Sequence, residues 1–170
     1  MNAELIVLRI IHVVGAILWA GTGLFVALFL LPAMGMAGPA GAPVMSALVK
    51  KRLFTIIPTV AVITMLAGLR LLWIISNGYS AEFFSTRGGL SYAFGAACAI
   101  TAFTVFMTVN HPAIGQMTKL GQQMAQAPEA ERGPIAAQMN AVRARAGLGS
   151  KVSAALLTLA AIAMAVGRYV

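Results

Sequence analysis

Three ionisable side chains lie within the long apolar runs of this sequence: Arg9, His12 and Arg70. Charged and polar groups are costly in an apolar environment, so each of them is a candidate for function. Arg9 and His12 are three residues apart and therefore share one helical face, which continues to Trp19. Two guanidinium groups beside an imidazole predict an anionic ligand, such as a porphyrin propionate or a lipid phosphate. We therefore expect these four residues to form a cofactor site, with His12 as the haem or metal ligand.

The same residues also have interpretations that need no ligand. Arg9 and Arg70 lie near the ends of their runs, and such long side chains can reach lipid headgroups with their charged ends. A neutral His12 can instead form a hydrogen bond with a neighbouring helix. The site interpretation requires Arg9, His12 and Arg70 to converge, with Trp19 on the same side as His12.

Two histidines can hold one haem iron, and this sequence contains His12 and His111. Their positions in the first and third apolar runs place them near opposite faces of a hydrocarbon core about 30 Å thick. We therefore expect the two imidazoles to lie on the order of 20 Å or more apart. Met34 and Met36 suit copper but lie on the opposite side from His12. The sequence thus favours haem b or a porphyrin over copper as the cofactor.

The composition predicts an integral membrane protein. Of the 170 residues, 60% are hydrophobic and only 9% are charged, whereas a soluble domain has roughly 25% charged residues. The formal net charge is +8. The basic residues lie mainly between the apolar runs, so the predicted partners are anionic lipid headgroups and not nucleic acid. No paired carboxylates, phosphate-binding glycine loop or zinc-ligand spacing occurs, which favours a protein without catalytic residues of its own.

Four apolar stretches are long enough to cross a membrane: residues 5–31, 53–75, 90–109 and 152–166. Because lipid offers the backbone no hydrogen-bond partners, each stretch must be helical. The predicted fold class is therefore all-α, an integral membrane four-helix bundle with residues 1–170 in a single domain. Pro32 and Pro112 are expected to end the first and third helices. Residues 112–149 carry two amphipathic patterns separated by Pro128 and Pro134. These patterns predict a cytoplasmic helical hairpin between the third and fourth helices.

Basic residues are distributed unequally between the two ends of the predicted bundle. One end receives eight of them, namely Lys50, Lys51, Arg52, Lys119, Arg132, Arg143, Arg145 and Lys151. The loops and terminus at the other end contain only Arg87 and Arg168. The positive-inside rule then predicts a bacterial-type inner membrane, with both termini on the periplasmic side and His12 in the outer leaflet.

Short motifs in the first two helices resemble those of a known superfamily. Residues 9–21, with Arg9, His12 and Trp19, resemble the opening helix of four-helix membrane proteins. That superfamily includes the HemJ-type protoporphyrinogen oxidases, the CopD-like copper resistance proteins and uncharacterised relatives. Residues 31–32, 50–58 and 68–69 are similar to the HemJ-type pattern as well. The resemblance covers residues 9–73 and implies that His12 corresponds to the histidine associated with haem or porphyrin.

The third helix departs from that family pattern. HemJ-type proteins have a His and a Lys near its start, where this chain has Ser91 and Tyr92. We therefore expect a membrane protein that binds haem, porphyrin or a metal through His12. Two alternatives stay open. One is a non-catalytic accessory subunit, associated with other membrane subunits or with copies of itself, and the other is a HemJ-like oxidoreductase.

Overall fold

A computed structural model describes residues 3–170, and nearly all of them are helical, with no strand in that range. We label the helices in chain order as α1 Ala3–Ala37, α2 Ala42–Lys50, α3 Leu53–Ile75, α4 Ala81–Phe84, α5 Arg87–Gln126 and α6 Glu129–Val166. Helices α1, α3, α5 and α6 are long and apolar enough to cross a membrane. The helices confirm the all-α class, and the four apolar ones confirm that the chain has four candidate spans, as in a multi-pass membrane protein. The predicted domain also includes residues 1–2, which lie outside the described residues.

The four long helices pack as two antiparallel pairs, α1 with α3 and α5 with α6. Contacts between the pairs are less extensive and join α1 to α6 and α3 to α5. A buried cluster at the centre draws on all four helices and contains Trp19, Ala61, Cys98, Ala99, Ala102, Leu157 and Ala160. Small residues dominate this cluster. They let helix backbones approach closely. In lipid the hydrophobic effect does not drive helices together, so the van der Waals contacts made at this close approach stabilise the bundle.

The interface between α5 and α6 shows this close approach directly. A Cβ added to Gly95 would lie 3.2 Å from the Ala160 carbonyl oxygen and 3.0 Å from Met164 Cγ. One turn earlier, the Ser91 hydroxyl donates to the Ala163 carbonyl at 2.8 Å. The small and hydroxyl residues at these positions therefore hold the two backbones together and leave no room for larger side chains.

Pro32 and Pro112 lie inside helices, so the prediction that they end the first and third helices is wrong. Each proline follows a π-helical turn, Val26–Leu30 in α1 and Phe106–Asn110 in α5. The amide of the residue after each turn donates to the carbonyl five residues earlier. A proline lacks an N–H group and its ring clashes with the carbonyl four residues before it, and the wider turn relieves that clash. The helices consequently continue beyond residues 31 and 109.

The segment predicted as a separate hairpin, residues 112–149, is continuous with the spans on both sides. Helix α5 runs to Gln126, and α6 begins at Glu129 rather than at residue 152. Pro134 lies within the second turn of α6 and does not separate two helices. The helix therefore continues through a position where the main chain lacks an N–H donor. The buried residues along this part of the chain are Ala113, Leu120, Ala127 and Gly149.

Candidate functional site

His12 is half-buried between α1 and α3, and its ring is held by a main-chain group. Nδ1 of His12 lies 2.9 Å from the carbonyl oxygen of Thr64. A carbonyl oxygen only accepts hydrogen bonds, so Nδ1 must be the donor. In the neutral imidazole, the lone pair is then on Nε2. Helix α3 thus sets both the orientation and the tautomer of His12 and leaves Nε2 as the nitrogen that can bind a metal.

Two glycines allow α1 and α3 to approach closely at this point. A Cβ added to Gly68 would lie 2.6 Å from Cε1 and 2.8 Å from Nδ1 of His12. A Cβ added to Gly15 would collide with the Thr64 hydroxyl. That hydroxyl already donates to the Val60 carbonyl at 2.8 Å, and Thr64 is 2% exposed. The imidazole therefore occupies the space that the missing side chain of Gly68 leaves open.

Arg70 is paired with a carboxylate of the protein itself. Its Nε and Nη2 atoms both lie 2.8 Å from Oε1 of Glu4. The antiparallel arrangement brings the first turn of α1 beside the end of α3, where Arg70 lies. The arginine-rich pattern predicted an exogenous anion at Arg70, and in the structure Glu4 is an anionic partner of this side chain. The two side chains are 49% and 45% exposed, so the pair contributes at most about 1 kcal/mol of stability.

Arg9 and Trp19 differ in their surroundings. Arg9 is exposed and has no hydrogen bond or ion pair with any residue in the range 3–170. Trp19 is only 8% exposed and lies in the central cluster, edge-to-face with Phe103 at a centroid distance of 6.3 Å. The packing of Trp19 in the core accounts for its burial. The structure thus joins His12 to α3 and Arg70 to Glu4, and it leaves Arg9 available beside His12.

Aromatic side chains surround the end of α3 near Arg70. Tyr79 follows the helix with a left-handed φ of 61°. Its hydroxyl donates back to the Leu69 carbonyl at 2.9 Å. Its ring packs edge-to-face against Trp73, with 5.1 Å between centroids. Such amphipathic rings are typical of the boundary between membrane and water, so this cluster marks one end of the spans.

His111 lies at the opposite end of the bundle from this cluster. It is exposed, contacts the Phe106 ring edge-to-face and lines a groove together with Arg52 and Thr55. Thr55 precedes Thr64, the partner of His12, by roughly 14 Å along α3 at 1.5 Å per residue. The two histidines therefore lie at different levels of the bundle and cannot bind one metal ion within a chain.

Among the described residues, His12 is a single candidate ligand and not one member of a metal-binding group. Within residues 3–170, no three His, Cys, Asp or Glu side chains come together in a group that could hold a metal. A bound copper or zinc ion needs several such ligands. A haem iron already has four porphyrin nitrogens and requires only an axial ligand from the protein. A single oriented imidazole meets that smaller requirement.

Three residues that position other groups were not identified from the sequence. Thr64 and Gly68 are four apart, a small-residue spacing typical of close helix packing, and that spacing was the available signal. Asn110 lies in the π-helical turn of α5 and is 8% exposed. Its Nδ2 donates to the Ala146 carbonyl at 2.8 Å and to the Ser150 hydroxyl at 2.7 Å. Its Oδ1 has no hydrogen-bond partner among the described residues. The sequence places Asn110 only at a helix boundary.

No protein-family model, curated protein or solved structure matches this chain. The resemblance of residues 9–73 to the HemJ-type and CopD-like proteins therefore stays a prediction.

Proposed function

We propose that this membrane protein binds haem b or a related porphyrin through Nε2 of His12. The hydrogen bond from Nδ1 to the Thr64 carbonyl, 2.9 Å long, is the observation that supports this proposal. Metal-ligating histidines almost always donate a hydrogen bond from their other ring N–H to a carbonyl, a carboxylate or water. This bond fixes the ring and makes the ligating nitrogen more basic. A bound haem would supply electron-transfer or gas-binding chemistry, and the chain would supply its orientation.

Arg9 is the proposed partner of a porphyrin propionate. It lies one helical turn before His12 on the same face of α1 and is exposed. A guanidinium group offers two parallel N–H donors that match a carboxylate. Arg70 can serve the same ligand only in competition with Glu4, which already lies 2.8 Å from it. The proposed site therefore depends on His12 first and on Arg9 second.

The absorption spectrum of the purified protein, reconstituted with haem b in mild detergent, tests the proposal. We expect a Soret band in the wild-type protein and none in His12→Ala, because the axial ligand is lost. His111→Ala, which removes the other histidine, is the matched control and should keep the band. Arg9→Gln should weaken haem binding roughly tenfold, as expected for one charge-assisted pair. A wild-type protein without the band, or equal loss in both histidine variants, would contradict the assignment.

The second candidate function is a non-catalytic accessory subunit of a larger membrane complex. The contact of the His12 ring with Gly68 supports it, since this contact gives the imidazole a packing role in the α1–α3 interface. A stable partner that co-purifies in detergent, together with a missing Soret band, would favour this candidate. The HemJ-like oxidoreductase has less support, because Ser91 and Tyr92 occupy the region where HemJ-type proteins have a His and a Lys.

We also propose that the end of the bundle with eight basic residues lies in the cytoplasm of a bacterial-type cell. The part of α5 that follows Asn110 and the part of α6 up to residue 149 then extend from the inner membrane as a cytoplasmic hairpin. Both termini are periplasmic. A reporter active only in the cytoplasm should give signal when inserted after Gln126 and none when fused after Val170. The reverse pattern of signals would overturn this orientation.

A further inference from the structure

A groove of about 340 Å³ lies at the basic end of the bundle, and His12 does not line it. It is formed where α3 begins and where α5 leaves its π-helical turn. Its polar wall contains Arg52, Thr55 and His111, and its apolar wall includes Phe54 and Ile114. The groove thus combines donors for an anion with a surface for hydrocarbon.

The positive charge at this groove is not neutralised within the described chain. Arg52 follows Lys50 and Lys51, and all three side chains are exposed. The two ion pairs found among residues 3–170 involve Glu4 and Glu129, which partner other arginines. Neither pair includes a residue of the groove. In addition, the N-terminus of α3 contributes partial positive charge at the same place. The groove is therefore complementary to an anion.

The position of the groove along the helices indicates the kind of anion. Helix α3 begins at Leu53, and the apolar run of α5 gives way to polar sequence after Asn110. The groove lies between these two points, at the level where hydrocarbon meets the headgroups. A phosphate there would meet Arg52 and His111, and an attached acyl chain would follow the apolar wall.

We propose that this groove binds the headgroup phosphate of an anionic phospholipid, with Arg52 and His111 as its donors. Arg52 supplies a guanidinium that can bind two phosphate oxygens, and His111 supplies a ring N–H. Basic pockets between membrane helices on the cytoplasmic side are suited to such headgroups. The groove is a different site from that of His12, and the proposal does not depend on haem binding.

Native mass spectrometry of the full chain, titrated with phosphatidylglycerol or phosphatidylcholine, tests this proposal. The variant Arg52→Asn/His111→Ala should bind phosphatidylglycerol roughly tenfold more weakly than the wild type, because the guanidinium charge and the ring N–H are both lost. Asparagine is chosen at position 52 because it tolerates the left-handed φ of 57° found there. Arg143→Gln is the matched control, since Arg143 is exposed on α6 at the same end but outside the groove. It should leave lipid affinity within about twofold.

Three results would overturn the proposal. The first is equal binding of phosphatidylglycerol and phosphatidylcholine by the wild type. The second is an equal loss of affinity in Arg143→Gln, which would indicate general surface charge. The third is binding of inorganic phosphate as tightly as the lipid, which would indicate a site for a soluble anion. If the double variant does not fold, His111→Ala alone decides the matter, and an unchanged lipid affinity in that variant would also count against the groove.

Discussion

Asn110→Asp is expected to lower the free energy of unfolding by at least about 3 kcal/mol at neutral pH. The amide nitrogen of Asn110 donates to the Ala146 carbonyl and the Ser150 hydroxyl, at 2.8 Å and 2.7 Å. Aspartate has nearly the same shape but no N–H group, so a carboxylate oxygen would face the Ala146 carbonyl. The site is buried, and the introduced charge would have no cation to balance it. Thermal unfolding in detergent measures the loss.

Asn140→Asp is the control for this experiment. Asn140 is exposed on α6 and accepts a hydrogen bond from Arg143 at 3.2 Å. The same substitution there should change stability by no more than about 0.5 kcal/mol. Acidification should restore part of the stability of Asn110→Asp, because protonation removes the buried charge. Equal effects of the two substitutions would show that the Asn110 amide is not engaged between α5 and α6.

Gly68→Ala should destabilise the protein by about 1–3 kcal/mol, although alanine is the better helix former. The new methyl group would lie 2.6 Å from His12 Cε1 and would displace the ring from the Thr64 carbonyl. In a His12→Ala background the obstacle is gone, so the same substitution should cost nearly nothing. The double-mutant cycle, measured by thermal unfolding, therefore reports the contact between these two residues.

Gly21→Ala is the matched control for this cycle, because a Cβ at Gly21 would have nothing within 4 Å. It should be neutral or stabilise the protein by up to about 1 kcal/mol. If Gly68→Ala behaves like Gly21→Ala in the wild-type background, the ring of His12 does not occupy the α1–α3 interface. The haem proposal would then lose the hydrogen bond that supports it.

The apolar runs predicted the four spans but not the ends of the helices. The hydropathy of a segment indicates whether lipid or water surrounds it. A helix, in contrast, ends where its main-chain hydrogen bonds end. Helix α6 therefore begins at Glu129, far before its apolar part, and α5 continues far beyond its apolar part. Pro32 and Pro112 were misinterpreted for a related reason. A π-helical turn can accommodate a proline, and the local sequence does not reveal which turn the backbone adopts.

At the candidate site, the residue types were visible but their partners were not. The sequence indicates that His12 is an unusual residue for an apolar run. Its partner is a main-chain carbonyl of Thr64, and every residue carries such a group, so no residue type identifies it. The pairing of Arg70 with Glu4 depends on the register between two antiparallel helices, which residue spacing within one helix does not determine. The groove at His111 depends likewise on contacts between α3 and α5.

The two closely packed helix pairs have a consequence for the order in which the chain assembles. Each pair consists of consecutive spans, so most contacts between spans join parts of the chain that are synthesised one after the other. The α1–α3 pair can close as soon as residue 75 has left the ribosome and entered the bilayer. His12 and Thr64 both belong to this first pair, so their hydrogen bond can form before α5 exists. The second pair then docks onto a half that already carries the candidate site.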